Sequence, residues 1–187
     1  MKRVSLNLVV AGFIGAVLIP APARAETQFI PWLGVNTGSR NVSSAVDFGA
    51  AVGTTVQGVI GVDFDFGFSP NFFGNSLDSY VLTTMGNVTV GIPFDRASAA
   101  GIRPYVTGGI GLIRARIDSP SFRYSVANND VGVNFGGGVI GFFGPHVGVR
   151  GDLRYVRSLE DDNSTNPFQF DLAPLHYWRT SFGFVLR

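Results

Sequence analysis

Cysteine is absent from this chain, and lysine occurs once, at Lys2. Without cysteine the chain has no disulfide framework and no thiol for lipoprotein acylation. Charged residues make up only 14% of the sequence, whereas ordinary soluble domains contain about 25%. Beyond Lys2 the only basic residues are scattered arginines, which form no basic cluster. These absences argue against nucleic acid as a partner.

Long apolar runs are also absent, apart from one short run near the start. Residues 8–19 (LVVAGFIGAVLI) follow the basic pair Lys2-Arg3 and precede Ala23-Arg24-Ala25, which matches an A-x-A cleavage site. Twelve apolar residues are too few for a membrane-spanning helix, which needs about 20. This order predicts a secretory signal peptide over residues 1–25, and the alternative is an uncleaved N-terminal anchor.

Removing residues 1–25 leaves 162 of the 187 residues, and these fit one domain over 26–187. Three cationic residues and no acid are lost, so the net charge changes from +1 to −2. The composition is 45% hydrophobic, with 17 Phe and 25 Gly in the full chain. A secreted chain that is rich in glycine and aromatics and poor in charge is typical of a transmembrane β-barrel.

The clearest pattern is the stretch 59–68, V-I-G-V-D-F-D-F-G-F. Its even positions are all Ile, Val or Phe, and its odd positions include Gly61, Asp63, Asp65 and Gly67. Strict alternation predicts a strand with one apolar face and one different face. Similar patterns predict eight strands, at residues 27–36, 44–53, 59–68, 79–92, 102–116, 130–143, 146–157 and 175–186.

The connections between these strands differ by parity. The odd-numbered ones are polar or long and include loops at 69–78, 117–129 and 158–171, whereas the second and sixth are short. Bacterial outer-membrane barrels have short periplasmic turns, longer external loops and an even number of strands. The pattern therefore predicts an all-β fold, an eight-stranded antiparallel up-and-down transmembrane β-barrel. We expect the three loops to form external contact surfaces.

The compositions of the two strand faces indicate which one points outward. One face is Phe, Ile, Val and Leu, and the other is glycine with polar residues. In lipid the apolar face can lie outside, because closure of the barrel leaves no unpaired edge. A soluble secreted barrel is the alternative, with a very apolar lumen. Tyr80, Tyr155, Tyr177 and Trp178 lie near strand ends and are predicted to form aromatic girdles.

Charged residues on the inward face are the candidate site. They are Asp47, Asp63, Asp65, Arg150, Asp152 and Arg154. A charge in a narrow lumen is costly unless it is paired. We therefore predict a structural Arg/Asp plug that closes the barrel, with a gate or an ion path as the alternative. The pattern leaves open which Asp contacts which Arg.

Catalytic, metal and cofactor sites are not predicted. The acidic run Glu160-Asp161-Asp162 matches no calcium-loop pattern. Outer-membrane lipid A deacylases are eight-stranded barrels that use a His and a Ser two residues apart. Here Gly148 follows His146 at that spacing and Trp178 follows His176, so neither matches. A lipid-modifying enzyme with His176 as its base is the alternative.

Four stretches resemble the outer-membrane protein β-barrel family, the small barrels like outer membrane protein A and outer membrane protein X. They are 27–34 (TQFIPWLG), 103–111 (RPYVTGGIG), 136–138 (GGG) and 149–155 (VRGDLRY). The ending 181–187 (SFGFVLR) resembles the family's terminal strand, which the barrel assembly machinery reads, although Arg187 stands where an aromatic is usual. The resemblance covers about residues 26–187.

The resemblance implies a location and a fold but no single activity. It implies the outer membrane of a Gram-negative bacterium, with outer-membrane lipid or lipopolysaccharide and the barrel assembly machinery as partners. With no catalytic pattern, we expect a non-enzymatic barrel with a structural or surface-interaction role. A narrow pore is the alternative.

Overall fold

The computed structural model describes residues 25–38, 44–56, 59–73, 78–92, 101–119, 124–159 and 175–187. Most of the predicted signal peptide, most of the predicted loop 158–171 and the acidic run 160–162 lie outside these residues. The strands are β1 (Ala25–Thr37), β2 (Ala45–Val56), β3 (Ile60–Pro70), β4 (Asp78–Gly91), β5 (Ile102–Ser119), β6 (Tyr124–Phe142), β7 (Val147–Ser158) and β8 (His176–Leu186). No helix within the described ranges is long and apolar enough to cross a membrane.

The eight strands close into one barrel. Each strand pairs antiparallel with the next one in sequence, and β1 pairs with β8. This confirms the predicted eight-stranded antiparallel up-and-down barrel. Closure gives every strand two neighbours, so the sheet has no free edge.

The side chains of β3 follow the alternation predicted for residues 59–68. Ile60, Val62 and Phe66 are 57%, 51% and 44% exposed, whereas Asp65 is 2% exposed. Apolar side chains therefore cover the outside of the barrel, and polar side chains lie inside. A soluble sheet would bury its apolar face, so this arrangement fits a barrel surrounded by lipid.

The structure corrects the predicted loop at 117–129. β5 and β6 remain paired through this stretch, as far as Ser119 opposite Tyr124. These two strands have 18 and 19 residues, whereas β4 has 14 and β8 has 11. The prediction took the polarity of the stretch as the sign of a loop. Backbone pairing satisfies the N–H and C=O groups whatever the side chains are, so a polar stretch can continue a hairpin.

The aromatic residues near the strand ends divide between the two faces. Tyr155 packs against Trp178 on the outside, with ring centroids 5.2 Å apart, and Tyr80 packs against Phe68. The prediction that Tyr177 belongs to a girdle was wrong, because Tyr177 is 1% exposed and lies in the lumen. It is one residue out of phase with Trp178, and neighbouring residues of a strand point to opposite faces.

A residue from the β3–β4 connection closes one end of the lumen. Asn71 has a φ of 50°, in the left-handed region that Asn tolerates better than most residues. The next residue, Phe72, is completely buried and packs edge-on against Tyr177. The rest of this apolar cluster is Ala45, Val81, Met85, Ile113, Ala115 and Val156. Part of the predicted external loop 69–78 therefore belongs to the core.

We call this end of the barrel the loop end and the opposite end, where both β1 begins and β8 ends, the terminus end. A second apolar cluster lies inside the barrel toward the terminus end, formed by Ile30, Ala51, Phe142 and Val185. The charged residues of the lumen lie between Phe72 at one end and Phe142 at the other.

Inward-facing glycines make room for large side chains in the lumen. A Cβ atom on Gly138 of β6 would lie 2.5 Å from the Tyr105 hydroxyl oxygen and would also collide with the backbone of Gly151. Gly151 itself faces outward from β7, and a Cβ atom there would meet no atom within 4 Å. Gly138 therefore leaves space that Tyr105 occupies, whereas Gly151 on the neighbouring strand has open space in front of it.

We expect Gly138→Val to lower the free energy of unfolding by about 1–3 kcal/mol, because overpacking forces Tyr105 or the β7 backbone to move. Gly151→Val is the matched control and should change it by less than about 0.5 kcal/mol. Equilibrium urea unfolding in detergent micelles, followed by tryptophan fluorescence, measures both values. Equal losses for the two variants would contradict the role given to Gly138.

Candidate functional site: the charged network in the lumen

All six charged residues predicted for the lumen are directed inward, from three strands. β2 carries Asp47, β3 carries Asp63 and Asp65, and β7 carries Arg150, Asp152 and Arg154. The residues of β7 share a face because they are two positions apart. Five of the six are buried, and Asp63 is partly buried.

Asp152 is the centre of the network. Its Oδ1 accepts a hydrogen bond from Arg154 Nε at 2.7 Å, and its Oδ2 accepts one from Arg150 Nη2 at 3.0 Å. The Tyr105 hydroxyl of β5 also donates to Oδ2 and accepts from Arg150 Nε at 2.6 Å. One carboxylate is thus held by three side chains, and hydrogen bonds to charged groups are stronger than neutral ones.

Two ion pairs connect opposite walls of the barrel. Arg154 Nη1 lies 3.6 Å from Asp65 Oδ2, and Arg150 Nη1 lies 4.0 Å from Asp63 Oδ2. β3 and β7 are four strands apart in the closed order, so these pairs cross the lumen. In an eight-stranded barrel the interior is just wide enough for side chains to fill it.

Arg179 of β8 is a member of the network that sequence reasoning missed. Its Nη2 donates to Asp65 Oδ1 at 2.9 Å, and its guanidinium carbon lies 4.4 Å from the centre of the Trp32 ring. The signal was present in the sequence. Phe182 was assigned to the apolar phase of the last strand, which places the odd-numbered residues of that strand inward.

Neutral side chains connect Asp63 to two further strands. Asn87 Nδ2 and Thr89 Oγ1 of β4 donate to its carboxylate at 2.7 and 3.1 Å. Asn134 Nδ2 of β6 donates in turn to Asn87 Oδ1 at 2.7 Å. The network therefore reaches around the barrel wall as well as across the lumen.

Asp47 is held by polar neighbours on the loop-end side of the ion pairs. It is buried, and the positive charge of Arg179 attracts its carboxylate. Asn36 Nδ2 also donates to Ser69 Oγ at 3.2 Å, and Ser69 Oγ donates to the Val46 carbonyl at 2.9 Å. Asn36 and Ser69 thus connect β1, β2 and β3 beside Asp47.

Little free space remains beside this network. A cavity of about 10 Å³ lies next to Trp32, Asp65 and Arg150, which is room for about one water molecule. Within the described ranges no cluster of three or more His, Cys, Asp or Glu residues is suited to hold a metal ion. His176 lies at the start of β8 with its ring 6.4 Å from that of Tyr155, and His146 lies in the exposed β6–β7 turn.

Comparison with known proteins gives the family of this barrel. The family model described as outer membrane protein beta-barrel domain matches residues 9–173. The chain belongs to this family. Membership confirms the predicted resemblance and supports an outer-membrane location. No curated protein sequence matches the chain.

Several solved structures share the fold of this outer membrane protein β-barrel domain. Neisserial surface protein A is 16% identical with a TM-score of 0.64, and the alignment covers 87% of this chain and 97% of that one. The N-terminal β-barrel domain of Pseudomonas aeruginosa OprF is 14% identical, with a TM-score of 0.58 and coverages of 86% and 96%. Ail, the attachment invasion locus protein of Yersinia pestis, was crystallised with the heparin analogue sucrose octasulfate. It is 16% identical, with a TM-score of 0.53 and coverages of 87% and 98%.

We expect Asp152→Asn to lower the free energy of unfolding by about 3–5 kcal/mol, because it leaves two buried guanidinium groups without their shared anion. Tyr105→Phe should cost at least about 1.5–3 kcal/mol, since it removes the hydroxyl that hydrogen-bonds to both Asp152 and Arg150. The control is Asp130→Asn, a part-buried acid of β6 that accepts from Ser158 Oγ at 3.1 Å. Urea unfolding in micelles gives all three values. If Asp152→Asn costs no more than Asp130→Asn, the network does not stabilise the barrel.

Proposed function

We propose that this family member is a closed, non-enzymatic outer-membrane barrel with a structural or surface-interaction role. Its location would be the outer membrane of a Gram-negative bacterium, reached after removal of residues 1–25. The observation that carries the proposal is the ion-pair network centred on Asp152, which spans the lumen between β7 and β3.

Three layers of side chains support a closed lumen. Phe72 fills the loop end, and the Arg/Asp network fills the middle. At the terminus end, Phe142 lies inside the barrel with the Arg187 guanidinium carbon 3.4 Å from its ring centre. A permeating ion would have to displace all three layers, and breaking a buried ion pair costs about 3–5 kcal/mol. This favours a plug over a gate or an ion path.

The positions of the two histidines support a non-enzymatic role. Catalysis by acyl transfer needs a nucleophile, a base and an orienting group within hydrogen-bonding reach. His176 lies beside Tyr155, and the residue two positions on is Trp178, which offers no nucleophile. His146 is exposed in the β6–β7 turn, whereas Arg150 and Asp152 of the following strand are buried.

We also propose that β8 is the strand that the barrel assembly machinery recognises. Arg187 stands at the position where the resemblance leads us to expect an aromatic residue. Its guanidinium group stacks on Phe142, and its Nη1 lies 3.1 Å from Glu26 Oε2 of β1. Arg187 therefore contacts both Phe142 and Glu26 of β1, whereas an aromatic ring at this position would provide packing alone.

We expect the purified barrel to give no steady ion current in planar bilayers, because the three layers lie in series. Phe72→Ala/Phe142→Ala/Arg154→Ala, which removes both end caps and one cross-lumen ion pair, should give measurable conductance. Arg157→Ala is the matched control, since Arg157 lies on β7 but faces outward. Heat-dependent gel mobility first establishes that each variant is folded. A wild-type current that persists through purification and changes in Arg150→Ala would overturn the closed lumen.

We expect no hydrolysis of lipid A by the purified barrel, and no difference between the wild type and His176→Ala. Mass spectrometry of lipid A incubated with each protein in micelles measures deacylation. The control is His146→Ala, which removes the other histidine. Deacylation that is present in the wild type and lost only in His176→Ala would establish the enzyme alternative.

A further inference from the structure

Two arginines at the terminus end lie against one aromatic ring. The guanidinium carbons of Arg103 on β5 and of Arg187, which follows β8, are 5.4 and 3.4 Å from the centre of the Phe142 ring. Residues two positions apart on a strand share a face, so Arg103 has the inward phase of Tyr105 and Arg187 that of Val185. Both cations therefore lie at the mouth of the lumen and not on the lipid-facing surface.

Three contacts hold Arg187 in place. Its backbone N–H donates to the His146 carbonyl at 3.0 Å. One face of its guanidinium group stacks on Phe142, and Nη1 lies 3.1 Å from Glu26 Oε2. A side chain that is already held in one orientation loses little conformational freedom when it binds a ligand. The guanidinium group of Arg187 is therefore preorganised.

One edge of this guanidinium group has donors but no acceptor. Nε and Nη2 of Arg187 are buried and have no hydrogen-bond partner within the described residues. These two donors lie along one side of the planar group, in the geometry that a carboxylate accepts with both of its oxygens. Buried donors in proteins are nearly always paired, because an unpaired one is costly. The edge therefore favours an acceptor from outside the described residues.

The balance of charge at this mouth favours an anionic acceptor. Arg103 and Arg187 share one described carboxylate, that of Glu26, whose side chain is 47% exposed. Removal of the predicted signal peptide would make Glu26 the first residue and add its ammonium group. Asp95 and Arg96 of the β4–β5 connection lie outside the described residues and carry opposite charges. An added anion would therefore be attracted by more than one cation.

We propose that the terminus end of the lumen binds a peptide carboxylate, which accepts hydrogen bonds from Nε and Nη2 of Arg187 and is attracted by Arg103. The ligand comes from water and not from the bilayer, because the outward residues at this level, Ile102 and Leu186, are apolar and 67% and 43% exposed. A phospholipid phosphate would meet these residues and not the inward arginines. The side of the membrane rests on the proposed function, which places the terminus end in the periplasm.

The test is an NMR titration of the folded barrel in zwitterionic micelles, with nitrogen-15 in its arginine side chains. The probes are acetyl-glutamate amide, which carries one carboxylate, its neutral counterpart acetyl-glutamine amide, and inorganic phosphate. The Nε signal of Arg187 is identified as the one that is missing in Arg187→Gln. We expect this signal to shift and saturate with acetyl-glutamate amide. Two hydrogen bonds to a charged group correspond to a Kd on the order of 1 mM.

Three variants separate the two-donor edge from the general effect of charge. Arg187→Lys keeps the charge but removes the edge, and it should weaken binding at least about tenfold, with the Nε signal of Arg103 as the reporter. Arg103→Gln should weaken binding about fivefold, because one nearby unit charge is lost. Arg157→Gln is the matched control, since Arg157 faces outward near the loop end of β7, and it should leave the affinity unchanged. Heat-dependent gel mobility establishes that each variant is folded.

An Arg187 signal that stays in place, or shifts equally with acetyl-glutamine amide, would overturn the site. Equal affinity for phosphate and acetyl-glutamate amide would overturn the assignment to a carboxylate. If Asp95→Asn moves the Arg187 signal without added ligand, the acceptor belongs to the chain, and the external ligand is overturned. The titration needs only a folded barrel, so it is independent of the conductance measurement. A barrel that conducts ions but binds the carboxylate at Arg187 would contradict the closed lumen and support the site.

Discussion

Burial of three guanidinium groups inside a narrow barrel is the constraint on which the rest of this structure depends. Arg150, Arg154 and Arg179 each need an anionic partner, because an unpaired charge in a dry interior is costly. Asp152 and Asp65, on opposite walls, are these partners. Their carboxylate oxygens lie 2.7–3.6 Å from the guanidinium nitrogens. The inward glycines follow from the same constraint. The lumen of an eight-stranded barrel is narrow, so the long arginine side chains fit only where neighbouring inward positions have no side chain.

Placing the polar groups inside leaves the outside free to be apolar. The described acids of β2, β3, β6 and β7 face the lumen. The outward cations Arg114 and Arg157 form no ion pair with a side chain that the structure describes. Inside the lumen, the carboxylates of Asp65 and Asp152 neutralise the arginines that reach them from β7 and β8.

The period-2 pattern predicted the eight strands and the inward face of the six lumen charges, because it depends only on local geometry. It missed the extension of β5 to Ser119 and of β6 back to Tyr124, where the sequence is polar. It was insufficient for the pairing of Arg154 with Asp65, since β3 and β7 meet only when the whole barrel closes. The burial of Phe72 was not predicted, because Phe72 lies in a polar connection where the alternating pattern of the strands has ended. Tyr177 was assigned by its nearness to a strand end, although its phase already placed it inside.

The three side chains that hydrogen-bond to Asp152 favour the proposed plug over a gate. A gate needs a group that can leave its partners at little cost and return. If Asp152 moved, it would leave Arg150, Arg154 and the Tyr105 hydroxyl at the same time, and each would lose a strong hydrogen bond in a low-dielectric interior. Phe72 and Phe142 would still block the two ends of the lumen. Because the obstacles lie in series and the middle one breaks only as a unit, these contacts favour the proposed closed lumen.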